Sequence, residues 1–456
     1  MKIPAIYSRG VAIVFLSAFI TFSGQTLKAQ STESSQSISI SLNEAIEMGL
    51  ERNFSVKTAE SDLDKSKAQY RQTHAVFLPQ ISLEYNAIST NDPLNVFGFK
   101  LKQQSVTQQD FNPALLNDPE TLENYSAKFE VRQPLLNPYM IVQRSAVKSN
   151  LLSTDEQLTG TKNFVKFQVR EQYYTVLMNQ KQLSVIETAL ETAGEHRRMP
   201  ENFYNEGMIS REDFLAARVY ELEMESRKLH IENEIQSANE ELSFLLGLDG
   251  STKIVATDDL TMIQPPDIDP EQAASNISNA QTRAIGYRVE AAEQMVKSAN
   301  FSFLPSVNLF GSYDLNDSEL LGFNSPSYMI GANLRWNLFS GFSKAGKVME
   351  ARADLRKART MQQRNRYELE NRVRRAIRSL RQAEKELILT EESIRQSTED
   401  VKIRGNRFKE GMERTTELLE AETRLAESRL KNVGAIFKYN MSIAALEMLL
   451  ENSGQN

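Results

Sequence analysis

The sequence predicts a mainly α-helical protein with a β-barrel part, assembled from one hairpin unit that is written twice. Three observations predict it. The same order of apolar strand pair, long helix, Gly-Met turn and return helix occurs in both halves, the strands alternate apolar and polar residues, and the long helices repeat apolar residues every seven positions. In the first copy the landmarks are Phe77-Leu78-Pro79, Val131-Arg132, the row Val169, Val176, Leu183, Leu190, and Glu206-Gly207-Met208. In the second they are Phe303-Leu304-Pro305, Leu334-Arg335, the row Val373, Leu380, Leu387, Ile394, and Glu410-Gly411-Met412. From heptad row to turn the offset stays at 204 residues (169 to 373, 207 to 411), so no net insertion separates the copies along the long helix. A period this long marks a duplicated architectural unit rather than a short solenoid motif.

The chain opens with Lys2 and Arg9, an apolar run from Val11 to Phe22 and the small-residue region Thr26-Leu27-Lys28-Ala29, which is the pattern of a cleaved secretory leader over residues 1–29. The apolar run is short of the roughly 20 residues that a spanning helix needs. Loss of Lys2, Arg9 and Lys28 with the leader takes the formal charge from −7 to −10, which argues against a nucleic-acid partner. There is no cysteine, so disulfides, thiolate metal sites and an acylated N-terminal cysteine are excluded. No later segment has 18 consecutive apolar residues, so an exported chain of this kind is soluble, peripheral or a β-barrel. An aromatic content of 8% and a charged fraction of 25% are thin for several compact cores, and they favour elongated helices. All 13 prolines precede residue 327, which leaves the last part of the chain open to nearly continuous helix. The organisation read from this is a first repeat over 30–247, a linker over 248–276 and a second repeat over 277–456.

Four segments alternate with period two. Ile81, Leu83, Tyr85 and Ala87 oppose Ser82, Glu84 and Asn86; Ala127, Phe129 and Val131 oppose Lys128, Glu130 and Arg132. Val307, Leu309, Gly311 and Tyr313 oppose Asn308, Ser312 and Asp314, with Phe310 as an aromatic exception on the polar side. The cleanest strand sets Tyr328, Ile330, Ala332, Leu334, Trp336 and Leu338 against Met329, Gly331, Asn333, Arg335 and Asn337. Such alternation fits any half-buried antiparallel sheet, but in an exported chain strands of about 9–11 residues with aromatics near their ends match a membrane barrel. Four strands cannot close alone, because a small barrel needs about eight, and an open edge in lipid costs several kcal/mol per unpaired group. The barrel is therefore expected to be shared between chains. Two chains give eight strands around a filled interior, whereas three give twelve around a channel that the polar faces would line. Lumenal candidates are Lys128, Glu130, Arg132, Asn333, Arg335 and Asn337, and candidates for the lipid-water boundary are Trp336, Tyr85, Tyr313 and Tyr328. The first strand connection (88–125) is 23 residues longer than its counterpart, by the spacings Pro79 to Val131 and Pro305 to Leu334, and is rich in turn and amide residues. It reads as a long outward-facing loop or as an insertion without function.

Each long helix is expected to run for roughly 60 residues, about 90 Å, from Pro138 to Pro200 and from Ser343 to Arg404. The second carries an unbroken series Val373, Leu380, Leu387, Ile394, Val401, Phe408 and a mostly small series Leu369, Ala376, Ala383, Thr390, Ser397, read as two seams for two neighbours. With the short helix at Ser41-Leu42-Asn43-Glu44-Ala45, the duplicated order resembles the TolC family of outer-membrane efflux proteins over essentially the whole mature chain. The resemblance implies a homotrimer, with a 12-stranded β-barrel in outer-membrane lipid continuous with a long α-helical coiled-coil barrel in the periplasm. It also implies a mixed segment around the middle, formed here by Leu248 to Asn276 and the chain ends. The implied function is a passive exit duct of a tripartite efflux or type I secretion system, docked on a periplasmic adaptor and an inner-membrane pump or ABC exporter. By position after Gly411, the family's inward-facing acidic gate falls on Glu417 and Glu420, with Asp213 as the counterpart in the first copy, where Ala216 stands at the second position. Ordinary dipole partners in a first turn capped by Thr415 or Thr416 are the alternative reading. The adaptor-docking tips are Glu206, Gly207 and Met208 with Glu410, Gly411 and Met412, and Pro200 interrupts the first of these helices near its tip. The three histidines, His74, His196 and His230, have no ligand spacing, and no phosphate loop or nucleophile elbow occurs, so neither an enzyme nor a cofactor is expected. A soluble periplasmic coiled-coil adaptor or scaffold is the rival, and it would carry one helical hairpin rather than two.

Overall fold

The computed structural model describes residues 37–207, 209–250, 252–265 and 278–451. The leader (1–29), Met208 and the later part of the linker (266–276) lie outside the described residues. The chain begins with β1 (Ser37–Ile40), α1 (Leu42–Arg52) and α2 (Phe54–Gln72). Ser41 and Glu44 close a capping box at α1, which holds the Glu44 carboxyl below its usual range through the Ser41 backbone N–H and hydroxyl. After Phe77-Leu78-Pro79 come β2 (Gln80–Thr90), two short helices α3 (Pro93–Lys102) and α4 (Pro113–Asn117), and β3 (Leu122–Leu136). The first helical hairpin is α5 (Pro138–Asn205) with α6 (Arg211–Leu245), followed by β4 (Lys253–Ala256). The second copy repeats the plan with α7 (Ala280–Phe301), β5 (Ser306–Asp317), β6 (Ser325–Arg335), α8 (Ser343–Lys409) and α9 (Thr415–Leu450).

The long helices outrun the expectation, with 68 residues in α5 and 67 in α8, or about 100 Å each. Pro200 does not end α5; it lies inside the helix, where it removes one backbone N–H. The heptad rows face the packing seams, with Val169, Val176 and Val373 fully enclosed and Leu183, Leu190, Leu380 and Ile394 half-buried. The two series on α8, however, form one seam. Leu369 and Val373 cluster with Leu446, and Ala383 clusters with Tyr439 and Ile443. Thr390 Oγ1 accepts from Asn432, and Ser397 shares a hydrogen bond with Ser428. The series are offset by four residues, only about 40° apart around a helix, so both face α9. The face that α6 turns away from its own core still carries exposed Leu215, Leu222 and Leu229 at heptad spacing. An 18-residue window in α9 is apolar enough to cross a membrane (mean hydropathy 1.3), and α9 packs against α8, α5 and α6.

Both chain halves meet at the middle of the helices. There β1 and β4 pair in parallel and lie on a core of Ile40, Ala45, Val56, Val165, Tyr173 and Ile254, which Val433 of the second half joins. Tyr173 is fully buried, donates to Asp258 Oδ2 (2.7 Å), and has its phenol pushed up to about 12 by burial and by that carboxylate. Asp258 also accepts from the Leu42 N–H (2.8 Å), so one carboxylate ties the segment after the first hairpin to the first turn of α1.

The four long strands form one antiparallel sheet in the order β2-β3-β5-β6, and among the described residues β2 and β6 have no partner on their outer edges. β6 stops at Arg335, short of the predicted Leu338, because its partner β5 begins at Ser306 just after Pro305, which has no N–H to extend the ladder. Asn337 therefore leaves the strand and accepts from Lys344 Nζ (2.8 Å) through its carbonyl. The first strand connection is no open loop: α3, a short 3-10 turn at Gln108–Phe111 and α4 fold it into a packed segment around Val96.

Candidate functional site

Register sorts the sheet into two chemically distinct faces. One rung joins Ile81, Val131, Gly311 and Ile330, and the next Leu83, Phe129, Tyr313 and Tyr328. This face is apolar yet open, with Leu83 74% and Ile330 79% exposed. Apolar side chains on an uncovered sheet call for an apolar neighbour. The opposite rungs join Ser82, Glu130, Ser312 and Met329, then Glu84, Lys128, Asp314 and Ser327. Here a hollow of about 580 Å³ is lined by Lys128, Glu130, Arg132, Asn333 and Arg335. Glu130 sits between Lys128 (3.2 Å) and Arg132, so its charge is compensated on both sides. The exceptional Phe310 lies on this polar face with its ring over Gly331, where a Cβ would come within 2.7 Å of Phe310 Cζ. The missing side chain at 331 is what makes room for the ring.

The predicted boundary aromatics fall towards opposite ends of the sheet. Tyr313 and Tyr328 share a rung near the β5–β6 turn, and the Tyr85 hydroxyl in the next rung accepts from the Leu321 N–H (3.0 Å). Trp336 follows the other end of β6 and donates from Nε1 to the Phe303 carbonyl (3.0 Å).

The helical turns at the far end share a backbone and differ in side chains. Gly207 and Gly411 take φ of +73° and +72°, the left-handed conformation that ends a helix most cheaply as glycine. Glu206 and Glu410 close the preceding helices, and Met412 is exposed. In the first turn Ser210 caps α6, accepting from the Asp213 N–H (3.2 Å) and donating to Asp213 Oδ2 (2.7 Å). Tyr204 and Phe214 stack across the turn at 5.4 Å. In the second turn the helix starts at Thr415, so neither Thr415 nor Thr416 is the cap; that position belongs to Arg414, whose side chain does not cap.

An ionic ladder takes the place of a cap. Arg404 reaches Asp400 (2.9 Å), Glu413 (3.0 Å) and Glu417 (2.7 Å). Arg424 joins Asp400 (3.0 Å) to Glu420 (3.7 Å), and Arg407 holds the other oxygen of Glu413 (3.1 Å). Arg424, and after it Arg404, holds the Asp400 carboxyl below the usual range. His196 Nε2 meets Glu422 Oε1 at 3.1 Å and links α5 of the first hairpin to α9 of the second. Sequence reasoning singled out Glu417 and Glu420 but missed Asp400, Arg404, Glu413 and Arg424. The four-residue spacings of Asp400 to Arg404 and of Glu420 to Arg424 were the available signal. Among the described residues no group of three or more His, Cys, Asp or Glu is placed to hold a metal ion.

A family model described as outer membrane efflux protein matches residues 45–248 and 273–450. The fold is similar to that of the Campylobacter jejuni CmeC outer membrane channel, with 14% identity, TM-score 0.77, and coverage of 90% of this chain and 85% of that one. It is similar also to the outer membrane protein VceC of Vibrio cholerae (18% identity, TM-score 0.75, coverage 90% and 95%). The open state of the Neisseria gonorrhoeae MtrE outer membrane channel is a third likeness (16% identity, TM-score 0.74, coverage 90% and 88%). No curated protein matches the sequence.

Proposed function

Because the chain belongs to the outer membrane efflux protein family, a family of channels, we propose that three copies close a twelve-stranded barrel and form a passive duct through the outer membrane. The observation that carries this reading is the sheet itself, which exposes an apolar face and ends in two unpartnered edges. With four antiparallel strands per chain, β2 and β6 run in opposite directions, so β6 of one copy can continue the ladder on β2 of the next without a parity error. Three copies then leave no edge in lipid. The exposed Leu215, Leu222 and Leu229 row on α6 is matched by a need to pack on a neighbouring helix, which a second copy would supply. From Tyr328 to Trp336, just past the end of β6, the chain covers about 26 Å along the strand direction, which a tilt of about 40° reduces to about 20 Å across the membrane. That is most of a barrel's apolar band, and it supports boundary roles for Trp336, Tyr85, Tyr313 and Tyr328.

In this reading Lys128, Glu130, Arg132, Asn333 and Arg335 line the lumen, and Asn337 lies at its inner rim. The helical hairpins project into the periplasm for about 100 Å. Glu206, Gly207, Met208, Glu410, Gly411 and Met412 present the docking tips to a periplasmic adaptor, and an inner-membrane pump or exporter supplies the energy. Glu417 and Glu420 narrow the tip under the control of their arginines, with Asp213 as a weaker counterpart. The boundaries at 30–247, 248–276 and 277–456 remain the proposed division into repeats and linker. The native mass of the detergent-extracted particle tests the assembly: three chains are expected, and a folded, membrane-inserted single chain would overturn it.

A further inference from the structure

The segment that joins β2 to β3 folds onto the polar face of the sheet. By register Asn124 shares that face with Lys128, and Ser325 shares it with Met329. Gln103 Nε2 donates to Asn124 Oδ1 (3.0 Å) and to the Glu123 carbonyl (2.9 Å), while the Gln103 carbonyl accepts from Ser325 Oγ (2.8 Å). One residue thus straddles β3 and β6, and Asn124, Asn316 and Ser325 are buried beneath the segment. The segment has its own frame. Lys100 meets Asp110 at 2.6 Å, Thr107 and Asp110 close a capping box, and Phe97 packs edge-on against Phe111. The Lys100 ammonium and the Thr107 N–H hold the Asp110 carboxyl down to about 2, so the frame stays charged at physiological pH. α3 buries Val96 and exposes Leu94 and Leu101, seven residues apart and on the opposite side of the helix.

Size decides what this does in a closed barrel. Twelve strands about 4.8 Å apart and tilted about 40° enclose a backbone ring about 24 Å across. Three helices about 10 Å thick fill a circle of about 22 Å. We propose that residues 91–121 form a lid at the outer mouth, in which Leu94 and Leu101 of three copies meet and keep the exit closed until cargo displaces Gln103. The proposal rests on the trimeric duct described above. An apolar constriction of this kind excludes water and ions without a charged gate, and it admits what can push helices apart or shed its own water.

The absence of cysteine makes the test clean. Ser82, exposed on the polar face, and Leu83, exposed on the apolar face, are replaced one at a time as Ser82→Cys and Leu83→Cys. A polymer-coupled maleimide too bulky to cross the outer membrane is then added to intact cells. With the lid in place, Ser82→Cys is expected to label slowly. Labelling should rise about tenfold with Gln103→Ala, which leaves the lid and its carbonyl bond to Ser325 but removes the side-chain half of the latch on Asn124 and Glu123. It should rise further when residues 91–121 are replaced by residues 318–324, the turn that serves β5 and β6. Equal labelling in all three backgrounds, each verified as a trimer, overturns the lid. In the background that lacks residues 91–121, Leu83→Cys labelling as readily as Ser82→Cys overturns the duct reading, and the lid with it.

Discussion

The two helical turns share a glycine φ within one degree and differ in the side chains that close them. The first is closed by packing and by a short neutral cap, through the Tyr204–Phe214 stack and the Ser210 hydroxyl. The second is closed by charge, through Arg404 and Arg424 spread over Asp400, Glu413, Glu417 and Glu420. Duplication preserved the backbone because a tight helix reversal has few solutions, and it left the side chains free to diverge. The consequence is an asymmetric tip: a ladder of two arginines and four carboxylates spans the second turn, whereas charge pairing near the first is, among the described residues, that of Arg197 with Glu221 (2.9 Å) and Glu201 (3.8 Å). His196 and Glu422 couple the two, so movement of the second hairpin pulls on the first.

Breaking the centre of the ladder should have the largest effect. Arg404→Ala removes the partner of three carboxylates at once and leaves Glu417 with no cation at contact distance among the ion pairs of the second turn. The pairs are partly exposed and screened by solvent, so each contributes little, but the joint loss of three should move an opening equilibrium severalfold. Single-channel recording in planar bilayers should show a severalfold rise in mean conductance. Unchanged currents would mean that the ladder does not bar the tip.

The two gate candidates separate next. Glu417 lies 2.7 Å from Arg404, whereas Glu420 lies 3.7 Å from Arg424 and is well exposed. Glu417→Gln should therefore change conductance and its cation dependence, and Glu420→Gln should change them much less. Equal effects would assign both residues to a common ring rather than to the ladder.

Acid sharpens the comparison further. The lowered Asp400 carboxyl stabilises the ladder at pH values above the ordinary aspartate range, and that contribution fades as pH falls through the lowered folded value. Hydrogen exchange at the second turn should accelerate only in strong acid, with the first turn lagging behind. Acceleration of both turns together would contradict the asymmetry.

How much of this was legible in the sequence depends on the range of the interaction. The duplication, the heptad seams and the two faces of every strand follow from local periodicity, and the structure reproduces them. The strand end at Arg335 depends on what stands opposite it, and period-two alternation continued past it through Trp336 and Leu338. The passage of α5 through Pro200 likewise depends on tertiary packing outweighing a local penalty. The single seam on α8 was legible in principle, since series offset by four residues are neighbours on a helix. The ladder was half legible: its four-residue spacings are in the sequence, but the reach of Arg404 across the turn to Glu413 and Glu417 is not. The fold of residues 91–121 was hidden because its amide-rich composition is shared by open loops, and the contacts that distinguish the two, those of Gln103 with β3 and β6 and of Lys100 with Asp110, join residues far apart or on separate turns.

The smallest effect tests whether the caps and the ladder are independent devices. Ser210→Ala deprives α6 of its cap at a cost of about 1 kcal/mol, confined to the first helical turn. Arg414→Ser gives α9 a cap of the same type and should gain a similar amount, since position 414 already has the extended backbone that a cap requires (φ −81°, ψ 153°). Neither position belongs to the ladder, so conductance should stay at the parental value in both variants while hydrogen exchange in the first turns of α6 and α9 moves in opposite directions. If Ser210→Ala opens the channel as far as Arg404→Ala does, the first turn is a gate in its own right and the division of labour between the two hairpins fails.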